Sequence, residues 1–139
     1  FVCAGTGVTP CVQALRFLAA ALRRAAQVPP VQVAGLLSSN RRAGGVLMAA
    51  ELEAVTAQAP TGTMRLRHTL TGDDSKRPRV PGIFSGRVTP AMLAEALPPP
   101  VGRTACLVVV VGPGGFVEHC MPLLIGLGHC ANHIAVLDA

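Results

Sequence analysis

Tryptophan and tyrosine are absent from this 139-residue chain, and phenylalanine occurs only 4 times. RNA and single-stranded DNA modules stack bases on exposed aromatic rings, so this scarcity argues against a nucleic-acid partner. Charge is also sparse, at 14% of residues against 50% hydrophobic, which excludes the disordered class and leaves enough apolar material for a core. No apolar run, the stretch from Leu107 to Val111 included, approaches the ~20 residues of a spanning helix. No basic segment followed by an apolar stretch opens the chain, so no secretory leader is read there. The cysteines (Cys3, Cys11, Cys106, Cys120, Cys130) are odd in number and include no CxxC pair. Cys3 and Cys106 lie in apolar, strand-like runs, which suits free buried thiols in a reducing compartment better than a disulfide framework. The formal net charge of +5 permits weak attraction to anions without naming one.

What is present is punctuation: 15 Gly and 12 Pro, scattered rather than periodic. Phe1-Val2-Cys3-Ala4 reads as a strand, and a strand opening at residue 1 implies a preceding segment. Pro10 suits a helix start; Leu15, Leu18 and Leu22 follow at helical spacing, closed by Arg23-Arg24 at the cation-favouring end. Pro29-Pro30 break the chain before a second strand from Val31 to Leu37. Met48, Leu52 and Val55 mark a second helix, followed by a strand from Thr63 to about Leu70. The stretch from Thr71 to Ser85, with Asp73-Asp74, Lys76-Arg77 and Arg79, reads as an exposed loop. Thr89 is an N-cap with Pro90 behind it, and Pro98-Pro99-Pro100 stops that helix. The β-branched run from Ala105 to Val111 reads as a central strand, then a helix from about Phe116 to Leu127 and a last strand from Ile134 to Leu137. This alternation predicts an α/β fold: a doubly wound, Rossmann-like sheet of about five parallel strands in three α/β/α layers, as one domain over residues 1–139. Ligands of such sheets lie at the C-terminal strand ends, near the topological switch point.

Two glycine turns fall at such ends. Gly5-Thr6-Gly7-Val8-Thr9-Pro10 leads from a strand into a helix, where bare backbone and free N–H groups suit a phosphate, with Thr6 and Thr9 adding hydroxyls. A tight turn is the simpler alternative. Gly112-Pro113-Gly114-Gly115-Phe116 is a second turn, read alone as a sharp connection; two turns on one sheet edge would flank a single crevice.

The first of these motifs resembles the GTGITP segment of NADH–cytochrome b5 reductases and the wider ferredoxin–NADP reductase superfamily. Ser39-Asn40 with Val46-Leu47-Met48-Ala49-Ala50-Glu51-Leu52 resembles its "AN…ILLRxEL" region. Gly82 to Thr89 resembles "GFxxGxI", Leu97-Pro98-Pro99-Pro100 resembles "LPPP", and Val111 to Phe116 resembles "CGPPPM". These collinear matches span essentially the whole chain. The resemblance implies the C-terminal, pyridine-nucleotide-binding domain of a flavoprotein reductase, in which NAD(P)H passes hydride to FAD and the flavin reduces a haem-protein-like acceptor. It implies that Gly5, Thr6, Gly7, Val8 and Thr9 hold the pyrophosphate and nicotinamide side, Ser39 and Asn40 the adenosine ribose, and Gly112, Pro113, Gly114, Gly115 and Phe116 the nicotinamide end. It also implies an FAD-binding barrel as partner, outside this chain, so that the chain alone holds nucleotide but no flavin. A membrane is met only through segments absent here, with this soluble domain on the cytoplasmic side.

Departures from the pattern sharpen the expectations. Val111 stands where the family usually has cysteine, which implies a nicotinamide less well held and, with Thr6, marks the expected catalytic positions. Gly45 stands where an acidic residue is usual, beside Arg41 and Arg42; those arginines are either a solvated turn or a contact for a 2′-phosphate. A catalytically degenerate homologue, retained as a nucleotide-binding or interaction module, is the rival reading. His119-Cys120 and His129-Cys130 with His133 invite a zinc site, but the pairs fall on separate elements and core or surface roles account for them better. No GxSxG elbow supports a hydrolase.

Overall fold

Four consecutive valines, Val108 to Val111, favour extended backbone because their branched side chains pack well on a pleated surface. They form one strand of a parallel sheet in the computed structural model, which describes residues 1–24, 33–72, 81–100 and 106–138. In chain order the elements are β1 (Val2–Ala4), α1 (Val8–Arg24), β2 (Ala34–Asn40), α2 (Ala49–Gln58), β3 (Met64–Leu70), β4 (Ile83–Ser85), α3 (Pro90–Ala96), β5 (Val108–Gly112), α4 (Gly114–Gly126) and β6 (Ile134–Asp138). Among the described residues the sheet order is β4-β3-β2-β1-β5-β6, with every pair parallel.

Side chains alternate across this sheet, so adjacent residues enter different cores. Cys3, Leu36 and Val111 pack with Val12 and Leu15 of α1 and Leu52 and Val55 of α2. Their neighbours Val2, Leu37 and Val110 pack on the opposite face with Leu93 and Ala96 of α3 and Cys120 and Leu124 of α4. Two apolar layers therefore sandwich the sheet, as strand–helix alternation with right-handed crossovers requires. Thr89 caps α3 as expected: its side chain accepts from the Met92 amide at 3.3 Å, with Pro90 first in the helix.

The α/β, doubly wound reading holds, with shifts at several boundaries. Among the described residues the sheet has six strands rather than about five, because Ile83–Ser85 forms a short edge strand at the end of the stretch read as a loop. The second strand runs on to Asn40 instead of ending at Leu37. Ser38, Ser39 and Asn40 are 1%, 8% and 6% exposed, held between β1 and β3. Met48 does not begin a helix but precedes α2 in the left-handed region (φ 55°), its carbonyl accepting from the Leu52 amide at 2.9 Å. The first helix starts at Val8, two residues before Pro10. The last helix starts at Gly114, and β5 runs to Gly112. The Pro29-Pro30 break, the strand start at Val31, the charged residues from Asp73 to Arg79, and Ala105 lie outside the described residues.

β2 and α3 approach so closely at Gly35 that a Cβ there would overlap the Ala96 carbonyl oxygen. Gly35→Ala is expected to lower the unfolding free energy by about 1–3 kcal/mol through overpacking, read from urea denaturation. A loss under ~0.5 kcal/mol would mean that the two elements separate freely.

Candidate functional site at the switch point

From β1 the chain moves outward through β2, β3 and β4 on one side, then returns to place β5 and β6 on the other. The C-terminal ends of β1 and β5 therefore diverge into connections on different faces, which is where such sheets open a crevice. Both glycine turns lie there. Gly5–Gly7 forms a single 3-10 turn leading into α1, and Pro113 leads from β5 into α4.

The two turns interlock. A Cβ on Gly7 would stand 2.6 Å from the Val111 carbonyl oxygen and 3.0 Å from its Cγ1. Gly112 answers from the other strand, where a Cβ would meet Phe116 Cδ1 at 2.8 Å and Ala4 Cβ at 3.2 Å. Glycine at these two positions thus serves packing between turns. Gly5 differs: it takes φ +54° and has no neighbouring atom within 4 Å of where a Cβ would be, so bare backbone faces open space. Thr6 and Thr9 are exposed beside it, whereas Val8 is buried in the core. Neither α1 nor α4 carries an acidic residue in its first turn. α4 has no side-chain cap, and Gly114 and Gly115 are exposed with open space around them. Such N-termini present N–H groups and a partial positive charge to an anion.

The third component is the end of β2. Asn40 Nδ2 donates to Ser38 Oγ at 2.9 Å inside the sheet. The backbone that follows is clamped by the end of β3: the Thr71 amide donates to Asn40 O at 2.9 Å, and the Gly72 amide to Arg41 O at 2.9 Å. The Gly45 amide closes the next turn on Arg42 O at 3.0 Å. Together these segments line a cleft of 830 Å³ bounded by Ala4, Gly5, Ser39, Asn40, Arg41, Arg42, the Ala43–Gly45 turn and Thr71.

Of the expected site residues, the structure brings Gly5, Ser39, Asn40, Arg41 and Arg42 around this one cleft. Thr6, Gly7, Val8 and Thr9 continue from it into α1, and the segment from Gly112 to Phe116 lies on the far side of the first turn, over β5. Val111 is 1% exposed and faces the α1 layer, so its side chain reaches the crevice only through its contact with Gly7. Sequence reasoning missed Thr71 and Gly72, which looked like the start of a loop. Thr71 lines the cleft, and Gly72 is packed so tightly that a Cβ would stand 2.5 Å from Arg41 O. A Thr-Gly pair after a strand is too common to have signalled either role.

The histidine–cysteine pairs lie apart from this site. His119 Nε2 donates to Val88 O at 2.8 Å, tying α4 to the segment before α3. Burial pushes the Cys120 thiol up to about 11, so it stays protonated at neutral pH. Among the described residues no group of three or more His, Cys, Asp or Glu could hold a metal ion. The five cysteines are free, with Cys3, Cys11 and Cys120 buried, Cys106 half-buried and Cys130 exposed.

A doubly wound parallel sheet with open glycine turns at its switch point defines a dinucleotide-binding α/β domain. The oxidoreductase NAD-binding domain family matches residues 1–121, and the chain belongs to that family. It is 31% identical over 129 residues to NADH-cytochrome b5 reductase 2 of Gallus gallus, covering 92% of this chain and 38% of that protein. The chain thus spans under two-fifths of that relative's length. In fold it is similar to the cytochrome b5 reductase domain of Ulva prolifera nitrate reductase, with a TM-score of 0.76 at 24% identity over 98% of this chain and 48% of that one. It is also similar to the flavohemoglobin of Malassezia yamatoensis, solved with bound FAD and heme, with a TM-score of 0.73 at 20% identity over 99% of this chain and 30% of that one. The resemblance to the cytochrome b5 reductase and ferredoxin–NADP reductase superfamily is thereby shown.

The interlock has a direct test. Gly7→Ala is expected to cost about 1–3 kcal/mol of stability because the Val111 backbone cannot yield cheaply. Gly115→Ala, in open space, is expected to change stability by no more than about 0.5 kcal/mol. Equal urea midpoints for the two variants would mean that the first turn is not braced against β5.

Proposed function

We propose that this chain is the pyridine-nucleotide half of an FAD-dependent reductase, holding NAD(P)H so that its nicotinamide meets a flavin carried by a separate domain. The observation that supports this most directly is the cleft shared by the first glycine turn and the end of β2. A dinucleotide fits the residues present. Gly5 offers backbone without a side chain, Thr6 and Thr9 offer hydroxyls to the pyrophosphate, and the α1 N-terminus offers partial positive charge. Ser39 and Asn40 form the floor for the adenosine ribose. The open N-terminus of α4, with Gly112 to Phe116, receives the nicotinamide end.

When bound, the dinucleotide supplies the hydride, and the chain supplies position. Gly7 and Gly112 set the spacing of the two turns, so a dinucleotide laid across them has its ends fixed relative to the sheet. Val111, where the family usually carries cysteine, places an apolar, buried side chain under that crossing, and Thr6 is the nearest exposed hydroxyl on the turn. Val111 therefore acts on nicotinamide placement through the Gly7 contact. The acceptor beyond the flavin is a haem protein or a similar one-electron carrier. Among the described residues no helix is long and apolar enough to cross a membrane.

The degenerate reading, a homologue that binds nucleotide without turnover, draws on the same Val111. Joining the chain to its flavin-binding domain separates the two: flavin reduction by NAD(P)H in stopped-flow supports the reductase, and none supports the degenerate homologue.

For the binding claim, calorimetric titration of the 139-residue chain with ADP-ribose is expected to show 1:1 binding. Gly5→Val, which fills the bare backbone, is expected to weaken it about tenfold or more, a loss near 1.4 kcal/mol. Gly115→Val is expected to leave ADP-ribose affinity within about twofold while weakening the full dinucleotide. Unchanged ADP-ribose affinity in a folded Gly5→Val chain would overturn the placement.

A further inference from the structure

Cys3 and Cys11 are two nucleophilic side chains that the nucleotide-binding reading does not use. Cys3 lies on β1 and Cys11 near the start of α1, 0% and 1% exposed in the same apolar layer. The chain between them contains the first glycine turn, so the pair sits beneath backbone that borders the cleft. Their thiols hydrogen-bond to each other. Cys3 stands beside Ser38 of β2 in the sheet, and Cys11 Sγ donates to Gly7 O at 3.4 Å.

These contacts form one head-to-tail series of donors. Asn40 Nδ2 donates to Ser38 Oγ at 2.9 Å, the Ser38 hydroxyl to Cys3 Sγ, the Cys3 thiol to Cys11 Sγ, and the Cys11 thiol to Gly7 O. The series runs under the surface from the end of β2 to the first turn, and so joins two segments around the cleft. Hydrogen bonds arranged this way polarise one another. They also make the two sulfurs unlike. The hydrogen bond from Cys3 holds the Cys11 thiol below its usual value, against the opposing effect of burial. Cys3, donating to Cys11 and buried, is pushed far above its own. One thiol that ionises more readily beside one that keeps its proton supplies an attacking sulfur and a resolving sulfur.

We propose that Cys3 and Cys11 are a redox-sensitive pair that closes to a disulfide beneath the first glycine turn, with a hydroperoxide as oxidant, and that closure weakens nucleotide binding. The effect on binding rests on the nucleotide-binding reading. The Cys11 sulfur attacks the peroxide and its O–O bond breaks. One oxygen stays on sulfur as a sulfenic acid, and the other leaves with the Cys11 proton as an alcohol, or as water when the oxidant is hydrogen peroxide. The Cys3 sulfur then bonds to the Cys11 sulfur, and the sulfenic hydroxyl leaves with the Cys3 proton as water. The two thiols lose two electrons in all, and the O–O bond receives them. Access is through the turn, where Gly5 faces open space and Thr6 and Thr9 are exposed, because helix ends open more readily than their middles. A disulfide has no S–H to donate, so Gly7 O loses its partner on Cys11 and the series from Asn40 is cut. Bonding also draws the two sulfurs together and pulls the start of α1 towards β1. Gly7, seated against the Val111 carbonyl, has no slack to absorb that shift.

The test treats the 139-residue chain with hydrogen peroxide, in a Cys130→Ser background that prevents pairing between chains through the exposed cysteine. Trypsin releases both residues in a single peptide, 1–16, which holds no other cysteine. That peptide is expected to lose two hydrogens by mass spectrometry and to resist alkylation until a dithiol reductant is added. ADP-ribose affinity by calorimetry is expected to fall about fivefold or more on oxidation and to recover on reduction. Cys11→Ser keeps a donor for Gly7 O and is expected to hold ADP-ribose within about twofold before and after peroxide. In Cys3→Ala, which lacks the resolving sulfur, dimedone is expected to trap a sulfenic acid on Cys11. A peptide that stays fully alkylatable, or gains oxygen on each cysteine without closing, overturns the pair and leaves the nucleotide reading standing. A disulfide that leaves ADP-ribose affinity unchanged overturns the effect on binding, as does an equal loss in peroxide-treated Cys11→Ser. Failure of the reduced chain to bind ADP-ribose removes the nucleotide reading and this effect together.

Discussion

The approach of Gly7 to the Val111 carbonyl is the contact on which the rest of the site depends. It brings the start of α1 against the end of β5 with no side chain between them. Gly112 repeats the device in reverse, against Ala4 and Phe116. Because each turn is seated on the other's strand, the N-termini of α1 and α4 are held at a fixed offset on opposite faces of the sheet. Two loosely tethered loops would have to be ordered by the ligand at an entropic cost; this pair is ordered by the fold.

The β2 side of the cleft is built by a different principle. There the strand itself carries the site to its end: β2 is buried along its whole length, including Ser38, Ser39 and Asn40. Polar side chains survive in that position because Asn40 Nδ2 finds Ser38 Oγ and the main chain finds β1 and β3. The strand then stops abruptly, and the end of β3 grips the next two carbonyls. Rigidity thus passes from the sheet into the rim of the cleft, where only the 3-10 turn at Ala43–Gly45 separates β2 from the approach to α2.

Much of this could be read from the chain. Alternating apolar runs and amphipathic segments gave the layers, because valine and leucine spacing reports directly on which face is buried. Gly5 to Pro10 stood out as a candidate segment by its position after a strand, whereas Ser39 to Arg42 stood out only through the family resemblance. What could not be read was contact between distant segments. Gly7 looked like a bare approach for a phosphate, and only the placement of Val111 more than a hundred residues on shows that its missing Cβ makes room for protein. The strand at Ile83–Ser85 is three residues between Gly82 and Gly86, too short to show a period, and it exists through pairing with His68 to Leu70. Ser38 to Asn40 carry a polar signature that tertiary burial overrides.

The position of β1 also sets the order in which the molecule can assemble. This three-residue strand sits between β2 and β5, with Val2 beside Leu37 on one side and Val110 on the other. The first partner is made soon after β1 on a ribosome, whereas the second emerges only after β2, β3 and β4. Until then the middle of the future sheet is an edge, with unpaired amides and carbonyls beside apolar Val2 and Cys3, and the entropy of closing so long a loop is still opposed to their pairing. Formation of the crevice between β1 and β5 is therefore a late folding event. A nascent domain of this topology exposes an unpaired strand edge to chaperones and to neighbouring chains before its crevice exists.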